Sequence, residues 1–195
     1  ARVLSSTSRY DEALELLRKA AATDPGGAEI NFAFGELYQK WGKNNLAVSY
    51  YEKVLRASPS HIPSLLGLAE LYAQSGRYDM AERYVSQASR IDSVRPEIHL
   101  ARGRIRLGMA LASTDDAERI GFLDSAYGSF RTCLELSPQN YEAQKRMIWI
   151  SLYRNRANES LGLVRDLLTR DPANPEMNYM MGSLIRILAR NPGQL

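Results

Sequence analysis

An all-α solenoid of antiparallel helix pairs is the fold class this sequence predicts, and three regularities predict it. Pro25, Pro59, Ser93, Pro138 and Pro172 follow one another at separations of 34, 34, 45 and 34 residues. Twelve residues before each stands a small side chain: Ala13, Ala47, Ala81, Ala126 and Ser160. Gly42 and Gly76 repeat the 34-residue interval and sit where a first helix should stop, a place that prefers Gly. A fixed period of this length means copies of one supersecondary unit, none of which can bury its apolar face alone. Stacks of this kind act as surfaces for holding other molecules and seldom carry chemistry themselves.

The elements follow in order within one array over 1–195. Counting back from Ala13 puts Ala1 at the eighth place of a repeat and Leu4 at the eleventh, so 1–27 is a partial repeat beginning inside a first helix. With no initiator Met, the chain reads as a piece of a longer array. Repeat 28–61 holds Gly35 at the eighth place, Tyr38 at the eleventh, Gly42 at the fifteenth, Ala47 at the twentieth, Tyr51 at the twenty-fourth and Pro59 at the thirty-second. Repeat 62–95 holds Ala69, Tyr72, Gly76, Ala81, Val85 and Ser93 at the same places, with Ala88 three residues after Val85. Gly inside a helix costs about 1 kcal/mol relative to Ala, which is tolerable where two helix axes approach closely. Ala47 and Ala81 are expected on the facing helix at that contact. Tyr38 with Tyr51, or Tyr72 with Tyr84, are expected to fill the wider gaps. Pro59 ends a second helix because the residue before a proline avoids helical geometry. Each copy is therefore two helices of about fourteen residues joined by a tight turn.

Repeat 96–140 is eleven residues over length, close to three helical turns, so helical phase can be kept. Ser113, Thr114, Asp115 and Asp116, with Glu118 three residues after Asp115, are helix-start signals. They predict two long helices over 96–112 and 116–136, protruding as a hairpin zipped by Met109, Ile120 and Leu123. Repeat 141–174 follows. Residues 175–195 read as a partial repeat or capping helix from Glu176 to Ala189, with Gly182 in its usual place and Asn191-Pro192-Gly193 as a stop. Ile185, Ile187 and Leu188 look under-covered, so further sequence or another copy is expected over that end.

The pattern resembles the tetratricopeptide repeat. Gly35, Tyr38, Ala47, Tyr51 and Pro59 match that family's consensus, as do Tyr72, Gly76, Ala81 and Ala88, and the resemblance covers essentially the whole chain. At the family's tryptophan place this chain has Asn31, and Trp41 lies elsewhere. The resemblance implies a right-handed superhelix whose first helices line a concave face, with their second, fifth, ninth and twelfth places pointing inward. Carried onto this chain, the groove floor would hold Phe32, Leu66, Leu100, Lys145 and Tyr179. The next tier would be Glu36, Glu70, Arg104, Trp149 and Ser183, and the third Gln39, Ala73, Leu107, Leu152 and Arg186. A largely apolar and aromatic floor suits an extended or helical segment with hydrophobic anchors. Glu29, Glu36 and Glu70 oppose Arg104, Lys145, Arg146 and Arg186, a gradient that would orient a ligand with one basic and one acidic end. One subgroup of the family grips the carboxylate tails of chaperones with Lys and Asn. The matching places here hold Phe32 and Glu36, then Leu66 and Glu70, so that activity is not expected.

Composition narrows the function class. The net charge of +3 is spread evenly, with twelve bases against eleven acids in 1–95 and thirteen against eleven in 96–195. That balance argues against non-specific nucleic-acid binding, which runs on phosphate neutralisation. Helical repeats that read RNA one base per unit are the rival class, and the Gly, Ala and Pro placements fit it less well. No apolar run approaches the length needed to cross a bilayer. A soluble chain is expected, with the cytoplasm favoured over the periplasm and the compartment otherwise open. Cys133 is the single cysteine and closes no disulfide within the chain; a small buried core residue is expected there. His61 and His99 have no second ligand at metal spacing. No phosphate-binding loop, zinc-protease helix or nucleophile elbow appears. Asn158-Glu159-Ser160 has the form of a glycosylation sequon, but Ser160 holds the buried small-residue place, so the match reads as coincidence. No catalytic, metal or cofactor residue is expected. The expected work is that of a non-enzymatic scaffold or adaptor holding a protein segment in its groove. The alternatives are an assembly module that self-associates through exposed repeat ends, or the repeat domain of a bacterial envelope secretion or pilus-type complex.

Overall fold

Short capped turns divide the described residues into ten helices, with no strand: α1 Arg2–Thr23, α2 Ala28–Lys40, α3 Asn44–Ala57, α4 Ile62–Gln74, α5 Tyr78–Ile91, α6 Pro96–Ala112, α7 Asp116–Leu136, α8 Tyr141–Tyr153, α9 Ala157–Arg170 and α10 Pro175–Arg190. The computed structural model describes the backbone of residues 2–24 and 26–190, and side chains over 9–24, 26–186 and 188–189. Pro25, the Leu4 and Ile187 side chains and the Asn191-Pro192-Gly193 stop lie outside those residues. Each helix packs on the next in sequence, and the first helices α2, α4 and α6 also touch one another in turn. The result is a right-handed solenoid of antiparallel helix pairs. No helix among the described residues is long and apolar enough to cross a membrane.

First helices end by one device, used three times. Gly42 and Gly76 take positive φ of 76° and 74°, and Asn155 takes 58° at the equivalent place. The next N–H then reaches back: Lys43 to the Tyr38 carbonyl at 2.8 Å, Arg77 to Tyr72 at 2.9 Å, Arg156 to Ser151 at 2.8 Å. This left-handed cap satisfies carbonyls that the helix end would otherwise orphan. At the same place in the partial first repeat stands Ser8, and α1 runs through it unbroken. The expected first-helix stub is thus fused to its second helix, because no residue suited to the left-handed region interrupts it.

The corner between repeats has its own tie. His99 Nε2 meets the Ser93 carbonyl, Gln144 Nε2 donates to that of Pro138, and Asn178 Nδ2 to that of Pro172, each at 2.9 Å. These are the residues at the family's tryptophan place. Leu65 holds it in repeat 62–95 and cannot donate; Gln87 Nε2 serves the Pro59 carbonyl instead, at 3.3 Å.

Core packing corrects one detail. Ala47, Ala81, Ala126, Cys133 and Ser160 are fully buried, as small residues between close helices should be. The nearest neighbours of Gly35, Gly67 and Gly103, however, are aromatic rings. A Cβ on Gly35 would lie 2.5 Å from the Tyr51 ring, and one on Gly67 would lie 2.6 Å from its other side. Gly103 approaches Phe130, the equivalent aromatic, in the same way at 2.5 Å. Tyr38 stacks on Tyr50 rather than pairing with Tyr51, at 5.5 Å between centroids, and Tyr72 stacks on Tyr84 at the same distance. At Gly182 a Cβ would meet nothing within 4 Å.

The long repeat forms the predicted hairpin, with α6 at 17 residues and α7 at 21 against 13 and 14 in repeat 28–61. The added lengths, four and seven residues, are close to one and two turns, so each helix keeps its buried face. Side chains build its turn. Asp115 Oδ1 accepts from the Glu118 N–H at 2.7 Å, while Ser113 Oγ donates to Glu118 Oε2 at 2.6 Å. Leu123 is buried and Met109 partly so, but Ile120 is 46% exposed and does not join the zip. At the far end Leu188 is buried with Met177 and Leu184, contrary to expectation, whereas Ile185 is exposed. The difference is phase: Leu188 follows Leu184 by one turn on the face turned to α9.

Candidate functional site

The inner faces of α2, α4 and α6 enclose an open groove of about 780 Å³. Helix α2 contributes Phe32, Glu36 and Gln39 to its wall; α4 contributes Leu66, Glu70 and Ala73; α6 contributes Leu100, Arg104 and Leu107. Three helices side by side, each offering its fifth, ninth and twelfth residues, give three parallel rows. Phe32 and Leu66 are half-buried, and Phe32 leans edge-on against His61 at 5.1 Å.

The groove contains a polar relay. The Tyr51 hydroxyl donates to Gln39 Oε1 at 2.7 Å, and Gln39 Nε2 donates to Glu70 Oε2 at 2.9 Å. Burial, reinforced by the carboxylates of Glu36 and Glu70, pushes the Tyr51 phenol well above its ordinary range. At the opposite end, Arg104 forks onto Glu142: Nε meets Oε1 at 2.8 Å and Nη2 meets Oε2. That bond raises the Arg104 guanidinium and holds the Glu142 carboxyl below the usual carboxylate range. Arg146 stands 3.6 Å from Glu142, and no described residue beyond it lines the groove.

Lys145, Trp149, Tyr179 and Arg186 are not brought into this groove. They lie on α8 and α10. Lys145 Nζ pairs with Glu176 at 2.7 Å, Trp149 stacks on Tyr153 at 5.5 Å, and Arg186 donates to Ser183 Oγ at 3.2 Å. Tyr179 is 74% exposed. None of the four lines the groove. The expected charge gradient also needs correcting. Arg104 and Lys145, counted as free bases, are each neutralised by a glutamate from the next first helix.

Several lining residues escaped sequence reasoning. Glu97 and Glu142 stand at the second place of their repeats, as Glu29 and Glu176 do, so that recurrence was the available signal. Tyr51 reads as core and is buried, yet it also lines the groove, where its hydroxyl donates to Gln39. Tyr78 and Leu111 enter because the extended α6 overhangs the rim, which no single-repeat pattern encodes. Elsewhere, burial pushes the Cys133 thiol up, and His61 caps α4 by accepting from the Ser64 N–H at 3.3 Å. Among the described residues no three His, Cys, Asp or Glu side chains group as a metal site.

Comparisons with known proteins agree with this architecture. Two tetratricopeptide repeat models match, over residues 1–62 and 40–105, together more than half of the chain. The protein CTR9 homolog of Arabidopsis thaliana is 26% identical over 160 residues, covering 82% of this chain but only 13% of its own length. Across the curated relatives it matches, the chain spans 11% to 26% of their lengths. Among solved structures, a thermophilic TPR protein of Thermus thermophilus, TTC0263, superposes with a TM-score of 0.70, at 22% identity over 93% of both chains. YrrB, described as a TPR protein with an unusual peptide-binding site, superposes at 0.58, with 20% identity over 91% of this chain and 86% of its own. Period, turn chemistry, helix-pair packing and these matches coincide: the chain belongs to the tetratricopeptide repeat family.

Proposed function

We propose that this chain is a non-enzymatic scaffold that seats a segment of another protein in the groove across α2, α4 and α6. One observation carries the reading: Phe32, Leu66 and Leu100 form an apolar row on an inner face that the fold leaves open. A row with regular spacing offers pockets to successive apolar side chains of a bound segment, the arrangement by which buried anchors supply most binding energy. Glu36, Gln39, Glu70 and Arg104 would flank that segment. The peptide-binding site named for YrrB supports the class of activity, in a protein of the same fold. Lys145, Trp149, Tyr179 and Arg186, on α8 and α10, would add contacts outside that groove.

Leu66→Glu with Leu100→Glu tests the reading. Both side chains are half-buried at the groove wall, so helicity by circular dichroism should persist. Capture of partners by the full chain should be lost; unchanged capture by a helical double variant would remove the groove from consideration. A second reading, self-association through the last helix, is favoured by Ile185, 55% exposed, on α10. Light scattering separates the two: mass rising with concentration supports assembly, and a constant monomer supports capture of another protein.

A further inference from the structure

The charge of the groove runs against the charge of the molecule. The chain carries a net +3. The groove is lined by four carboxylates, Glu36, Glu70, Glu97 and Glu142, against two guanidiniums, Arg104 and Arg146. Pairing leaves that excess unchanged but fixes where it lies, because both guanidiniums gather at Glu142. Arg104 is held by Glu142 through both of its oxygens, and Arg146 stands beside the same carboxylate. Glu36, Glu70 and Glu97 make no close ion pair among the described residues; Arg104 feels the Glu70 carboxylate only from a distance, its own fork being on Glu142.

The relay from Tyr51 fixes where the negative charge is presented. Gln39 holds Glu70 by Oε2, leaving Oε1 with only a 3.5 Å contact to Gln74. Glu36 is exposed and lines the groove from the ninth place of α2, as Glu70 does from the ninth place of α4, so the two carboxylates share one row of the wall. That row lies one helical turn beyond the Phe32 and Leu66 side chains on the same two helices. An apolar floor with two unpaired carboxylates above it favours a cation flanked by apolar groups. It disfavours an anion at that place, since both carboxylates would repel it and the guanidiniums lie at the far end beside Glu142.

Resting on the groove reading above, we propose that the segment bound here is basic and apolar: a Lys or Arg seats against Glu36 and Glu70 while neighbouring apolar side chains lie on Phe32, Leu66 and Leu100. Acidic segments are rejected by the same carboxylates.

The test uses the full chain and three fluorescein-labelled peptides of one leucine–alanine frame, differing only in having Lys, Gln or Glu at the polar positions. Fluorescence anisotropy should rank them Lys, Gln, Glu, with the Lys peptide ahead of Gln by about fivefold, the scale of two exposed ion pairs. Glu36→Gln with Glu70→Gln should erase that preference, so that the Lys and Gln peptides bind the variant alike. Long-range attraction to a cationic protein would instead favour the Glu peptide, so the whole-molecule field cannot mimic the expected order. Equal or tighter binding of the Glu peptide overturns the inference, as does a Lys preference that survives the double variant. If the Gln peptide binds, is lost in Leu66→Ala with Leu100→Ala, and no Lys preference exists, the charge inference fails while the groove reading stands. Failure of all three peptides to bind overturns both.

Discussion

Tyr51 shows how one residue can link packing to the site. Its ring is clamped between Gly35 of its own repeat and Gly67 of the next, and its hydroxyl feeds the Gln39–Glu70 relay. Equivalent places elsewhere trade volume: Gly103 faces Phe130, whereas repeat 62–95 has Ala69 and Val85. Gly35→Ala should therefore cost about 1–3 kcal/mol, because a rigid ring rather than a flexible chain end must yield. Combined with Tyr51→Val the cost of the added methyl should shrink, giving a coupling of about 0.5 kcal/mol or more in a denaturant double-mutant cycle. Ala47, with no exposed surface, makes the companion case. Ala47→Leu should destabilise by about 1–3 kcal/mol through overpacking, and melting at the wild-type midpoint would contradict the close contact.

At the level of elements, the hairpin of α6 and α7 departs from its neighbours in how it turns. The other first helices of full repeats stop on a left-handed Gly or Asn; α6 ends at Ser113 in extended geometry, and Asp115 starts α7. A side-chain cap is the weaker point, because one substitution removes it. Asp115→Ala should cost about 0.5–2 kcal/mol. Hydrogen exchange should locate the loss in the first turns of α7 and the end of α6, with α2 to α4 unaffected. The overhang matters for the site too, since Leu111 and Tyr78 give the groove a rim on that side.

For the whole molecule, ion pairs join successive repeats across the inner wall: Arg104 to Glu142 and Lys145 to Glu176. Hydrogen bonds from their partners hold both carboxyls below the ordinary range. A carboxyl depressed in the folded state adds stability above its unfolded value, about 4.3, and loses it as pH falls through the folded one. These pairs are partly exposed, so about 0–1 kcal/mol each is at stake. The melting midpoint should fall between about pH 6 and pH 3, and the fall should be smaller in Glu142→Gln with Glu176→Gln. In an array where units touch only their neighbours, that loosening should stay local to α6 through α10.

The helix bounds from α2 onward, the hairpin and the burial of Ala47, Ala81, Ala126 and Ser160 were legible in the sequence; the unbroken α1 was not. They rest on local rules: Gly at a left-handed stop, Pro at a corner, Asp and Ser at a helix start, and a period that keeps one face apolar. Which aromatic each glycine meets was not legible, since Gly67 finds Tyr51 across a repeat boundary. Nor was the charge of the groove. Arg104 and Lys145 are bases in the sequence, but tertiary contact pairs them with Glu142 and Glu176 more than thirty residues away, leaving Glu36 and Glu70 to set the local sign. Turns and caps are decided within a few residues of chain, whereas the free charge of a surface depends on which side chains the superhelix brings within a few ångströms.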